Sequence, residues 1–219
     1  MSKTIKLIIF FIIVIIIFSV LLTLDKFNML PKEIFYANDF NIQVIKSDKD
    51  ADSDGIEDYA DILQGAKIEA SNKPKYKSEY YRGGYPPEGE GVCTDVVWRS
   101  LKNAGYNLKE LIDADIKENL KLYKAIDVPD PNIDFRRVRN LKVFFDNHYT
   151  ILTNDPYDIT EWMPGDIVVF GTKHIAIISD RRNKEGLPYI IHNASQPNRD
   201  EDAIVYWYNT RGITGHYRM

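Results

Sequence analysis

The 219-residue chain holds one cysteine, Cys93, in the segment Gly91-Val92-Cys93-Thr94-Asp95, and four histidines. Of these, His174 opens the apolar run Ile175-Ala176-Ile177-Ile178 and His192 closes Tyr189-Ile190-Ile191. A thiol beside an imidazole can perform covalent nucleophilic chemistry, because the histidine removes the thiol proton and later returns it to a leaving group. Val97, Leu101 and Ala104 follow at helical spacing and Gly105 is placed to end that helix, so Cys93 lies at or just before its N-terminus. There the unpaired N–H groups and the helix dipole favour a thiolate and can hold a developing oxyanion, while Asp95 in the first turn opposes a second anion. Free cysteines are otherwise mostly small buried apolar residues, but Gly89, Gly91 and Thr94 mark a turn here. A hairpin about the loop 180–187 would set His174 and His192 opposite each other, about 5–7 Å apart at the backbone, so that one orients the other. His148 lies in a polar stretch, and His216 is almost terminal.

A second cluster carries different chemistry. The run Asp50-Ala51-Asp52-Ser53-Asp54-Gly55-Ile56-Glu57-Asp58-Tyr59-Ala60-Asp61 has the spacing of a twelve-residue calcium loop. Alternate side chains of such a loop supply carboxylate oxygens, glycine makes the sharp turn, and the next residue offers its carbonyl. The expected ligands are Asp50, Asp52, Asp54, the Ile56 carbonyl, Asp58 and Asp61, the last standing where an EF-hand has glutamate. Without a cation these carboxylates repel one another. The alternative is a solvated acidic turn that caps the following helix. A calcium ion here would be structural, and the thiol chemistry requires no cofactor.

These groups need elements to position them. Hydrophobic spacing predicts helices over 59–72, 94–104 and 108–123, then strands over 166–170, 174–179, 189–193, 203–208 and 215–218. Helices followed by strands imply an α+β domain, with N-terminal helices packed on an antiparallel sheet. After a short tail, 1–6, residues 7–24 contain no charge and are long enough to cross a membrane. They are too long for the apolar part of a cleaved signal peptide, and no small-x-small site ends them. The expectation is one uncleaved transmembrane helix, then a connector over 25–49 that is either a stalk or an arm packed on the domain, the acidic loop over 50–61 and the main domain over 58–219. In an exported chain an odd cysteine either bridges to another chain or is kept for its reactivity.

The net charge of −4 argues against a nucleic-acid binder, the nearest basic feature being Arg136, Arg137 and Arg139. Such a cluster is a solvated face or a site for substrate carboxylates. Tyr80-Tyr81-Arg82-Gly83-Gly84, Gly91-Val92-Cys93-Thr94-Asp95, Trp162-Met163-Pro164-Gly165-Asp166-Ile167-Val168-Val169-Phe170, His174-Ile175-Ala176-Ile177 and Ile190-Ile191-His192 follow in order. This series resembles the motifs of the NlpC-type cell-wall peptidases, which are papain-like cysteine hydrolases. With Pro129-Asp130-Pro131-Asn132-Ile133-Asp134 and Ile213-Thr214-Gly215-His216-Tyr217-Arg218, the chain resembles more closely a bacterial domain-of-unknown-function family within that superfamily.

The resemblance implies a papain-like fold, Cys93 as nucleophile, His174 as base, His192 as the residue orienting it (Asn193 being the other candidate) and Tyr80 as an aid to the oxyanion site. It implies a single-pass cell-membrane protein whose C-terminal domain lies outside the cytoplasm and cuts amide bonds of cell-wall peptides. The alternative is a non-catalytic, calcium-stabilised binding or structural module on the same fold. Two features depart from the peptidases: Val92 and Thr94 flank the cysteine where they usually have aspartate and serine, and His174 and His192 are further apart than usual.

Overall fold

The first element in the computed structural model, which describes residues 2–26 and 29–219, is helix α1 (Lys3–Lys26). It begins inside the predicted tail; Met1 of that tail and Phe27 and Asn28 of the connector lie outside the described residues. The most apolar 18 residues of the stretch Lys3–Asp25 have a mean hydropathy of 3.4 and are not buried against protein at all. At 1.5 Å per residue α1 is about 36 Å long, enough to span a bilayer core.

The connector is an arm. Phe35 exchanges two backbone hydrogen bonds with Arg182, at 3.0 and 2.7 Å, and Ala37 and Ile42 pack with Met163 in a small apolar cluster. Helix α2 (Asp58–Asn72) follows, its first amides capped by the Glu57 carboxylate. Next come strands β1 (Lys75–Tyr76) and β2 (Glu90–Gly91), which pair in parallel, then α3 (Cys93–Asn103) and α4 (Leu108–Asn119). Helix α2 crosses α3 at Gly65, where a β-carbon would stand 2.7 Å from Asn103 Cβ and 2.8 Å from Ser100 Cα, so only glycine permits this approach. The predicted helix to residue 123 ends early. A 3-10 turn (Leu120–Leu122) replaces its last turn, and the Tyr123 hydroxyl bonds back to Asp115.

Helix α5 (Val138–His148) lies where no element was expected, although Leu141, Phe144 and Phe145 carry the i, i+3, i+4 pattern of a buried face. Strands β3 (Thr150–Ile151), β4 (Ile167–Phe170), β5 (His174–Arg182), β6 (Pro188–Ile191), β7 (Asp200–Glu201) and β8 (Ile213–Arg218) make a six-stranded antiparallel sheet in the order β3-β8-β4-β5-β6-β7. The expected strand over 203–208 is instead helix α6 (Ile204–Arg211). Its β-branched and aromatic residues suit a strand, yet Ile204, Trp207 and Tyr208 lie on one helical face against the sheet while Tyr206 is exposed.

The sheet is covered on both sides. Ile167, Val169, Ile175, Ile177 and Ile191 face the main core with α2 to α5, and Val168, Phe170, Ala176, Ile178 and Ile190 face Trp162 and α6. The arrangement is therefore α+β, as expected, with layers on both faces of the sheet rather than one.

Candidate active site

Cys93 is the first residue of α3, as its spacing required, and it is buried. Asp95 shapes the turn that presents it. One carboxylate oxygen, Oδ2, accepts the Val92 N–H at 2.7 Å, and the other, Oδ1, accepts Trp98 Nε1–H at 2.7 Å. Arg136 grips both, Nε on Oδ1 at 2.7 Å and Nη2 on Oδ2 at 2.8 Å. Asp95 opposes a thiolate at Cys93, as expected, but it is ion-paired, since a guanidinium from 41 residues away meets it in the core. Arg136 is likewise no solvated residue: its side chain is 2% exposed.

The histidines meet by a different register from the one expected. The pair Ile177↔Ile191 sets the β5–β6 hairpin, and continuing it puts His192 opposite Ala176, two residues from the predicted partner. Both rings nevertheless lie on the α6 side of the sheet, where diagonal neighbours can touch. His174 Nε2 is 2.9 Å from His192 Nδ1, and His192 Nε2 is 3.0 Å from Glu201 Oε1 on β7. Trp207 of α6 stacks flat on His174, with ring centroids 3.9 Å apart and an interplanar angle of 8°.

Glu201 fixes the tautomers. A carboxylate only accepts, so His192 Nε2 carries hydrogen, its Nδ1 is the acceptor, His174 Nε2–H donates to it, and His174 Nδ1 is left with a lone pair. The Gln196 amide nitrogen also lies 3.2 Å from His192 Nε2. It is the weaker claimant, because it donates to the His192 carbonyl at 3.0 Å and a charged acceptor outbids a neutral donor.

The thiol packs in the main core, on the face of the sheet opposite these rings, beside a gap in the strand ladder. Ile178 N–H donates to Asp166 on the β4 side, so by alternation the Ile175 N–H points to the β6 side, beyond the last β6 pair. The Ile175 amide is among the groups that favour a thiolate at Cys93, which places the thiol near the backbone of the residue after His174. Asn193 is the brace of this junction rather than a partner of His174: its Nδ2 donates to the carbonyls of Pro74 and Gly91, the latter two residues before the thiol.

A cleft of about 390 Å³ opens over Cys93 and Thr94, with Tyr76, Arg137, Arg139 and Lys173 in its walls. Tyr80 is not among its lining residues. It is exposed and its hydroxyl accepts from Asn132 Nδ2 at 2.9 Å, whereas Tyr76 lines the cleft with Cys93. Thr94 Oγ1 is buried without a hydrogen-bond partner among the described residues. The remaining histidines are held elsewhere, His148 on Asp115 at 3.0 Å and His216 between Asp166 and the Thr153 carbonyl while stacked on Trp162.

In the acidic loop, Asp50, Asp52 and Asp54 bring oxygens within 4.8 Å of one another. Asp61 is buried and Ile56 is exposed. Asp58 turns away, accepting the Ala51 N–H at 2.9 Å and the Tyr106 hydroxyl at 2.5 Å.

Residues 63–219 match the family described as Domain of unknown function (DUF1287). The chain belongs to this family. Its relatives include the "Uncharacterized protein YijF" of Escherichia coli (strain K12), 35% identical over 154 residues that cover 66% of this chain and 72% of that protein. No solved structure matches. Cys93, His174, His192 and Glu201 all fall inside the DUF1287 region, and the acidic loop precedes it.

Burial sets the resting state of the DUF1287 site. It pushes the Cys93 thiol up to about 11, with Asp95 adding to the rise and the amides of Ile175, Thr94 and Cys93 opposing it. This corrects the expected thiolate, because desolvation outweighs the helix N-terminus. His174 lies well below its ordinary range through burial, then through His192 and Arg211. Both shifts favour the neutral thiol and neutral imidazole over the ion pair. Iodoacetamide should accordingly label native Cys93 at pH 7 about 100-fold more slowly than an unperturbed cysteine, as two pKa units imply, and the rate should climb toward pH 11. A plateau reached below pH 8 would show instead that the ion pair is the resting form.

Proposed function

We propose that this DUF1287 domain is an NlpC-like, papain-like cysteine hydrolase held by α1 at the outer face of the cell membrane, where it cuts amide bonds of cell-wall peptides. The observation that carries this reading is the ordered relay Glu201–His192–His174, which leaves a lone pair on Nδ1 of the histidine that precedes Ile175, the residue whose amide bears on the Cys93 thiol.

Cys93 Sγ attacks the amide carbonyl carbon as His174 Nδ1 takes the thiol proton, giving a tetrahedral oxyanion. The same proton passes to the amine, the C–N bond breaks, and a thioester remains. Water, with its proton drawn off by His174, then releases the acid and restores the thiol. In this scheme the N–H groups that open α3 and the unpartnered Thr94 hydroxyl are the donors nearest the oxyanion. Arg137, Arg139 and Lys173 give the cleft a positive wall suited to a peptide carrying carboxylates, and Arg136 is withdrawn from that task by Asp95.

The test is release of peptides or amines from purified cell wall by the full-length chain and by Cys93→Ala. The substitution should lower release by several orders of magnitude, as loss of a covalent nucleophile does. Unchanged release would sink the assignment and favour a binding or structural module on this fold.

A further inference from the structure

Upstream of the DUF1287 region, the loop 50–61 gathers negative charge. Asp50, Asp52 and Asp54 are exposed and mutually close, and Asp61, one turn into α2, is 1% exposed. Asp61 Oδ2 has no hydrogen-bond partner among the described residues, and the charges acting on it most strongly are those of Asp54, Asp52 and Asp50, so its carboxylate lies beside the cluster. Among the described residues, no lysine or arginine pairs with any of these four. A buried, unpartnered carboxylate beside three others is costly in water and favourable only around a cation.

We propose that Asp50, Asp52, Asp54 and Asp61, with the Ile56 carbonyl, bind one calcium ion that fastens the arm to the α2–α3 pair. The donor set is all oxygen and mostly carboxylate, which selects a hard cation over zinc or copper. A loop this wide in charge and open to water suits calcium better than magnesium, which keeps its own waters and demands strict octahedral geometry. The main chain is already shaped for it: Asp50 accepts the N–H groups of Asp54 and Gly55 at 3.1 and 2.9 Å, and Gly55 takes φ +95°. Asp58 is excluded from direct ligation by its bonds to Ala51 and Tyr106.

The ion would act on the far end of the cysteine helix. Gly105, which ends α3, seats against Asp52, where a β-carbon would come within 3.0 Å of Asp52 Cβ, and Asn103 Nδ2 donates to the Asp61 carbonyl at 3.0 Å. Binding therefore stabilises the helix pair that carries Cys93 without touching the thiol.

The experiment is a thermal melt and a calorimetric titration of the full-length chain in detergent micelles, with calcium chloride, magnesium chloride and chelator. At about 10 mM calcium and a dissociation constant of about 0.1–1 mM, the melting temperature should rise by roughly 3–10 °C over chelator, with a smaller rise in magnesium. Asp54→Asn and Asp61→Asn should remove the calcium response, and Asp61→Asn in chelator should melt no lower than the parent, because it removes an uncompensated buried charge. No binding heat and equal melting temperatures with and without calcium would overturn the proposal, as would an Asp61→Asn chain that melts lower in chelator yet keeps its full calcium response.

Discussion

Asp95→Ala should destabilise the domain by about 3–5 kcal/mol, the cost of removing one member of a buried ion pair. The two side chains are 1% and 2% exposed, so water cannot replace the lost partner. Arg136 would retain the Glu79 carbonyl at 3.0 Å, but its Nε and Nη2 would be orphaned, along with Trp98 Nε1–H and the Val92 N–H. For a chain of this size the melting temperature should fall by roughly 6–20 °C. Arg136→Met paired with Asp95→Leu should cost less than Asp95→Ala alone, since it leaves no unpaired charge behind. Denaturant midpoints of the three chains check this, and an Asp95→Ala loss below about 1 kcal/mol would mean that water enters the pair. The turn that presents Cys93 hangs on the same carboxylate, so partial unfolding should begin at the N-terminus of α3.

What the sequence makes legible is what depends on short-range pattern. Val97, Leu101 and Ala104 announce α3 and therefore the place of Cys93, and the two apolar runs beside His174 and His192 announce adjacent strands. Strand parity brings the two rings to one face even when the register is misjudged by two residues, because a shift of two preserves the side.

Parts decided by distant partners are not legible in this way. Arg136 lies 41 residues from the Asp95 it pairs with, so the local reading of Asp95 has the right sign, a carboxylate opposing the thiolate, but misses the ion pair. The thiol's burial comes from packing of the whole core, and it overrides the helix terminus that the sequence does reveal. Ile204 to Tyr208 have strand composition but fold as α6, where Trp207 can cover His174. Glu201 had no signal at all. It sits on a two-residue strand, Asp200–Glu201, with no apolar alternation, after a loop rich in asparagine and serine, and it gains its role only because β7 pairs with β6 beside His192.

Glu201→Gln is consequently the most informative substitution in the relay. It rests on the hydrolase reading, and within that reading Glu201 is a positioning residue, since it acts on His174 through His192. Glutamine has nearly the same volume, so the fold should persist within about 1 kcal/mol. Its amide can, however, turn an N–H toward His192 Nε2 and make that nitrogen the acceptor. His192 Nδ1 then carries the hydrogen, His174 Nε2 must accept, and the remaining hydrogen moves to His174 Nδ1. A protonated Nδ1 cannot take the Cys93 proton. Turnover should therefore fall by about 10²–10⁴-fold, the scale seen when the orienting acid of a catalytic histidine is made an amide, with the Michaelis constant little changed. The fall should be concentrated at neutral pH and shrink on the alkaline side, where the thiol of pKa about 11 begins to ionise without help. A stable Glu201→Gln protein with parental turnover and an unaltered pH profile would remove Glu201 from the mechanism.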